Sequence, residues 1–170
     1  MTNFDVLLTV ESELRPLVFE GDDDVLYSAM FQWRKQELTV RVVRGRKMRT
    51  KQSLFDEFAA SLQFPLYFGE NWDAFDECVR DLEDLPAGKG YVVVITEPDD
   101  VLLGEDERGL RLLVNSLTDA AGEWGKPIER GEWWDRSSVP FHVVLVGQCE
   151  VLERASRRWT AAGAELQTLE

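Results

Sequence analysis

The sequence predicts an α/β fold, a small parallel sheet with helices packed against it. Three observations support that prediction. Tyr91–Ile95 is a continuous apolar run of β-formers and Phe141–Val146 is one interrupted only by His142, the pattern of strands buried on both faces. Leu38–Val43 alternates, with Leu38, Val40 and Val42 toward one side and Thr39, Arg41 and Val43 toward the other, which is the period of a strand. The segments between carry apolar residues at helical spacing, so the order is strand, helix, helix, strand, helix, strand.

The helices follow from the same periodicity. Ser53–Leu62 places Leu54, Phe55, Phe58 and Leu62 on one stripe, an amphipathic helix that Pro65 brings to an end. Gly69 and Asn71 prepare a second start, because glycine relieves the backbone and asparagine caps free N–H groups. That helix is expected from Trp72 to Leu85, stopped by Pro86 and Gly88. Glu107–Trp124 stacks Leu110, Leu113, Val114, Leu117 and Ala121, and Glu150–Ala162 reads as a further helix. Before residue 38 the stretches Val6–Val10, Leu17–Phe19 and Val25–Phe31 are broken by Pro16 and by Gly21-Asp22-Asp23-Asp24, a pattern of short strands joined by turns. The whole chain, 1–170, reads as one domain. Within it 38–147 is the core, 1–37 a strand-rich N-terminal extension and 148–170 a C-terminal helical extension.

Composition narrows the function. With 44% hydrophobic residues the chain can bury a core. Its formal net charge of −13 and pI near 4.5 disfavour direct binding of a phosphate backbone and favour basic partners, whose arrival the field accelerates. Cys78 and Cys149 lack metal-ligand spacing and are expected as two reduced, buried thiols. The N-terminus shows no basic segment followed by an apolar one, and the apolar runs are too short to span a bilayer. A cytoplasmic protein with no cofactor and no membrane contact, monomeric when free, is the expectation.

The helix after Gly69 is the informative element. At about 100° per residue, Trp72, Phe75, Cys78, Val79 and Leu82 share the arc that faces the core. Asp73, Glu77, Asp81 and Asp84 share the opposite arc, with Asp76 on the flank and Glu70 at the start. Between Glu70 and Asp84 stand seven acidic residues and one basic residue, Arg80. Asp73/Glu77 and Glu77/Asp81 are like-charge i,i+4 pairs, each costing roughly 0.2–0.5 kcal/mol. Asp73 recovers part of this near the positive end of the helix dipole. Such a face is either a solvated surface or a negative ridge that docks into a positive cleft.

The segment Pro65-Leu66-Tyr67-Phe68-Gly69-Glu70-Asn71-Trp72-Asp73-Ala74-Phe75-Asp76-Glu77-Cys78 resembles the signature of the barstar family, intracellular inhibitors of ribonucleases. The shared pattern is an aromatic pair, Gly-Glu-Asn, a large apolar residue, Asp-Ala, and an acidic residue one turn later. The resemblance continues upstream without a gap through Gly45, Arg49, Leu54, Leu62 and Pro65, and spans about Leu38 to Gly147. It implies a three-stranded parallel sheet with packed helices, and an inhibitory surface made by the acidic helix and the loop before it. Carried over by position, Tyr67 matches a contacting aromatic, Asn71 sits at the turn, and Asp73 matches a contacting aspartate. Glu77 takes the place of the dominant aspartate, which fills the enzyme's phosphate site. Four positions depart from the family: Glu77 keeps the charge of that aspartate but adds a methylene, Asp76 replaces a tryptophan, and Asp81 and Leu82 replace a glycine and a tryptophan at the rim. Glu105 to Glu107 are candidates for a further acidic contact. The implied partner is a basic ribonuclease, either an extracellular type or a toxin, and the implied role is that of an inhibitor or immunity protein. The alternative is a binding module on the same fold that inhibits nothing.

Other readings compete. Asp73, Asp76 and Glu77 offer oxygen ligands to a divalent cation, yet they sit on one exposed helix with no base or nucleophile beside them, so neither a metal site nor an enzyme is expected. His142 lies within an apolar strand and is expected as a satisfied core residue. No Gly-rich phosphate loop or nucleophile elbow is present. Arg34–Lys51 holds eight basic residues and one acid, Glu37; it is expected to be a solvated surface, the alternative being a site for an acidic protein or nucleic acid. Trp33, Trp124 and Trp159 are expected to pack. Trp133-Trp134, in what looks like an insertion relative to the family, is expected to plug the core, with an exposed partner contact as the alternative.

Overall fold

The computed structural model describes residues 4–170. Five strands form one parallel sheet: β1 (Leu17–Glu20), β2 (Thr39–Arg44), β3 (Tyr91–Thr96), β4 (Phe141–Gly147) and β5 (Gln167–Thr168), in the order β2-β3-β4-β1-β5. One row of the register runs Val42, Val94, Val144, Leu17, Gln167. The helices are α1 (Asp23–Lys35), α2 (Lys51–Ser61), α3 (Trp72–Asp81), α4 (Glu107–Trp124) and α5 (Cys149–Ala161).

The sheet is buried on both faces, as the apolar runs of β3 and β4 require. Val93, Ile95, Val143 and Leu145 point into one core with residues of α2, α3, α4 and α5. Val92, Val94, Val144 and Val146 point into a second core with α1. Along β2, Leu38 and Val40 enter the α1 side and Val43 the other, as the alternation predicts. The turn from β2 to α2 needs Gly45, because a Cβ there would lie 1.8 Å from the Glu97 carbonyl oxygen.

The N-terminal extension differs from the expectation at two of its three apolar stretches, Val25–Phe31 and Val6–Val10. Val25–Phe31 is helical, not a strand: Leu26, Ala29, Met30 and Trp33 are buried while Val25, Tyr27 and Phe31 are exposed. Those buried positions have the spacing of a helix, and the Asp22 carboxylate caps it by accepting from the Val25 N–H. Leu17–Glu20 is a strand as expected, but it inserts beside β4, and β5 adds to its far side. The sheet therefore has five strands where the resemblance implied three. α5 matches the expected C-terminal helix. The stretch Val6–Val10 holds a short 3-10 turn, Asp5–Leu8, and residues 1–3 of the N-terminal extension lie outside the described residues.

His142 is 1% exposed, and its Nε2 lies 2.8 Å from the Thr9 carbonyl oxygen. A carbonyl only accepts, so Nε2 carries the proton. Burial pulls the imidazole pKa below its ordinary value of 6.5, against a smaller upward pull from the Thr9 bond. The folded protein therefore holds His142 neutral, whereas the unfolded chain protonates it below about pH 6.5. This residue's contribution to stability is present above that pH and lost as pH falls through it. Urea titrations at neutral and mildly acidic pH should show the wild type losing more stability than His142→Gln. Parallel losses would mean the imidazole is charged in the fold.

Candidate partner-binding face

α3 begins where Asn71 Oδ1 accepts from the Ala74 N–H at 2.9 Å, while its Nδ2 donates to the Gly69 carbonyl. Such a cap contributes about 1 kcal/mol, so the Asn71 side chain is occupied in starting the helix. Glu70 ahead of it has a left-handed backbone (φ 51°), and its carboxylate accepts from Gln52 Nε2 on α2. The helix stops at Asp81, four residues short of the expected Leu85. Leu82 turns left-handed (φ 42°) to bury its side chain, while its N–H still bonds the Cys78 carbonyl.

An aromatic cluster fixes the inner face. Phe75 is fully buried and meets Phe55, Phe58, Phe64 and Trp72, with ring centroids 5.1–5.9 Å apart. Trp72 is half-buried, so it seals the rim of the cluster where the core arc had placed it inside. Phe64 and Phe68 anchor the preceding loop to the same cluster. With both ends held, the loop leaves Leu66 and Tyr67 in solvent, Tyr67 at 73% exposure.

The outer face carries the charge. Asp73, Glu77 and Asp81 are exposed, and among the described residues no Lys, Arg or His pairs with any of them. Asp76 is half-buried, with Oδ1 shielded from solvent and without a hydrogen-bond partner. Tyr67 Oη donates to Glu83 Oε2 at 3.2 Å. A cavity of about 70 Å³ opens between the loop and the helix, and Tyr67, Glu77, Asp81 and Glu83 share its lining. Asp73, Asn71 and Asp76 are not part of it. Partial desolvation, reinforced by Glu83 and Asp84, pushes the Asp81 carboxyl above its ordinary range. Desolvation, and then Asp81 and Glu77, push the Cys78 thiol pKa above its ordinary value. Three carboxylates and a phenol around a small notch suit one cationic side chain. Glu83 was not singled out from the sequence, because a helix continued to Leu85 puts it beside Trp72 and away from the acidic arc; the left-handed turn at Leu82 ends the helix early and leaves Glu83 within reach of Tyr67.

The remaining expectations divide. Cys78 is buried and Cys149 is exposed at the first turn of α5; both are free. Glu105 accepts from the Lys51 N–H, and Asp106 caps α4 and pairs with Arg108, so these acids serve helix ends. The basic stretch is a solvated surface in which Arg44 pairs with Glu57, Arg46 with Glu97 and Arg49 with Asp100. Trp33, Trp124 and Trp159 are buried. Trp133 and Trp134 are not a core plug: they are 90% and 46% exposed. The buried indole nearby is Trp124, with the Arg136 guanidinium 4.5 Å above its ring. Among the described residues no helix is long and apolar enough to cross a membrane, and no cluster of His, Cys, Asp or Glu is arranged to hold a metal ion.

Comparison with known proteins gives three results. No curated protein matches the sequence. Among solved structures, the ORC2 protein of Aeropyrum pernix in ADPNP–ADP complexes superposes with a TM-score of 0.56 at 12% identity, covering 92% of this chain and 41% of that one. Cdc6p of Pyrobaculum aerophilum gives 0.53 at 16% identity, covering 97% and 42%. A Walker-type ATPase of Pyrococcus abyssi gives 0.51 at 11%, covering 92% and 48%. This chain spans less than half the length of each, and at such identities the likeness is one of fold alone. The family model "Barstar (barnase inhibitor)" matches residues 38–146. That match takes in β2 through β4, with α3 and its loop in the middle, and covers more than half of the residues: the chain belongs to the barstar family.

Proposed function

We propose that this protein inhibits a basic ribonuclease by seating the carboxylates of α3 in the enzyme's phosphate-binding site. The observation that carries the reading is the set of unpaired carboxylates on the outer face of α3, beside the notch shared by Tyr67, Glu77, Asp81 and Glu83. A ribonuclease must hold RNA phosphate with Arg, Lys or His, and a carboxylate there meets the same charge-assisted donors. Glu77 and Asp73 are the central anionic contacts. Tyr67 adds apolar area with a polar tip. Asp81 and Glu83 receive a cation at the notch, Asp76 flanks them, and Asn71 positions the helix that presents them. The net charge of −13 steers a basic partner toward this face.

A binding role is favoured over an enzymatic one, despite the fold shared with ATPases. Where β1 meets α1 the chain reads Gly21-Asp22-Asp23-Asp24. A phosphate there needs free backbone N–H groups and a lysine, whereas these carboxylates repel it. The cleft beside them, about 630 Å³, carries Glu97, Arg44 and Arg46, and its two guanidiniums are already paired, Arg44 with Glu57 and Arg46 with Glu97.

The test is calorimetric titration with a panel of small basic microbial ribonucleases, barnase included, with RNA cleavage followed in parallel. Tight binding that abolishes cleavage is the expected result. Binding that leaves cleavage intact would replace the inhibitor with a non-inhibitory binding module, and no binding to any of the panel would remove the nuclease as partner.

A further inference from the structure

Trp133 and Trp134 stand edge to face in solvent, ring centroids 5.5 Å apart. Together they form an exposed apolar patch in a loop that also exposes Glu129, Arg130, Glu132 and Asp135. Their loop, between α4 and β4, is built to hold them out. Ile128 and Arg136 form a two-bond bridge, with N···O distances of 2.8 and 3.1 Å. The Asp135 carboxylate closes the tip by accepting from the N–H groups of Arg130 and Gly131, at 3.0 and 2.8 Å. The Arg136 guanidinium donates to the carbonyls of Glu123, Trp124, Lys126 and Ser137 while lying over the Trp124 ring. A loop fixed in this way loses little freedom when a partner arrives.

The same anchor reaches the acidic helix. Trp124 Nε1 donates to the Val79 carbonyl of α3 at 3.0 Å. Val79 lies midway between Glu77 and Asp81. The chain of contacts from the tryptophan tip through Arg136 and Trp124 thus ties the loop to the inner face of α3, whose outer face carries the carboxylates. Between the bridge residues, Glu129, Glu132 and Asp135 stand exposed against one exposed base, Arg130, so the loop that carries the indoles is net negative. We infer that Trp133 and Trp134 are the apolar anchor of the same docking surface, and that their occupant is the basic protein α3 receives. This rests on the proposed function and adds what the carboxylates lack. Charges set approach and register, whereas buried tryptophans slow dissociation.

The experiment compares wild type, Trp133→Ala/Trp134→Ala and Glu77→Ala against the ribonuclease of the panel that wild type binds, after thermal melts establish folding. Trp133→Ser alone, which changes only the more exposed indole, serves if the double variant misfolds. The double variant should bind about thirtyfold more weakly or worse, chiefly through faster dissociation. That loss should persist at high salt, where the loss from Glu77→Ala shrinks. If Glu77→Ala abolishes binding while the tryptophan variants bind as wild type, the docking surface ends at α3 and the inference fails while the inhibitor reading stands. If no ribonuclease of the panel binds wild type, both fall together. If sedimentation shows a tryptophan-dependent dimer in the absence of nuclease, the occupant is a second copy of this chain and the inference is overturned.

Discussion

Glu77→Ala is expected to abolish tight ribonuclease binding while making the free protein slightly more stable. The two effects have opposite signs for a single reason. Glu77 is exposed, pairs with no cation among the described residues, and stands one turn from both Asp73 and Asp81. Removing it relieves two like-charge pairs, roughly 0.2–0.5 kcal/mol each, and places the best helix former in the middle of α3. The urea midpoint should therefore rise or hold. In the complex the same carboxylate replaces a phosphate among desolvated cations, and truncating it strands those cations unpaired. Such central charged residues cost more than about 2 kcal/mol when truncated, so affinity should drop by a factor of about 30 or more. Asp73→Ala should follow the same pattern with a smaller gain in stability, because Asp73 lies near the helix N-terminus and is favoured there. A variant that unfolds more easily yet binds unchanged would refute the assignment of α3 as the docking face.

Phe75→Ala is expected to be the most damaging change to the fold around this face, at about 3–5 kcal/mol. Phe75 has no exposed surface, and four aromatic rings surround it. Alanine would leave a cavity that Phe55 and Phe58, fixed on α2, cannot collapse to fill. Trp72→Ala should cost less, since one side of that ring already faces solvent. Equilibrium denaturation of both variants checks the order. A loss below about 1 kcal/mol for Phe75→Ala would mean that the cluster does not hold α3. The ranking matters for function because the cluster is what makes α3 rigid: a carboxylate on a loose helix pays its ordering cost at the moment of binding.

Much of this arrangement was legible in the sequence. The 3.6-residue spacing of Phe75, Cys78, Val79 and Leu82 dictated which face of α3 turns inward, and therefore which carboxylates remain outside. The apolar runs 91–95 and 141–146 implied burial on both sides, and that required helices on two faces. Gly69-Glu70-Asn71 announced the capped start of the helix. Each of these rests on local physics, the periodicity of side chains or the hydrogen bonding of one residue to its near neighbours. Tertiary structure decided what depends on partners distant in sequence. Residues 17–20 gain their ladder only because β4 offers an unpaired edge, and residues 167–168 only because β1 does. Val25–Phe31 is as apolar as a strand, and what makes it a helix is the second core beneath the sheet, which takes Leu26, Met30 and Trp33. Leu82 ends α3 early because burying its side chain outweighs an unfavourable backbone, and that turn brings Glu83 to Tyr67. The exposure of Trp133 and Trp134 was hidden for the same reason. A tryptophan pair taken alone favours the core, and here the Ile128–Arg136 bridge and the Asp135 carboxylate fix a loop that leaves it in solvent.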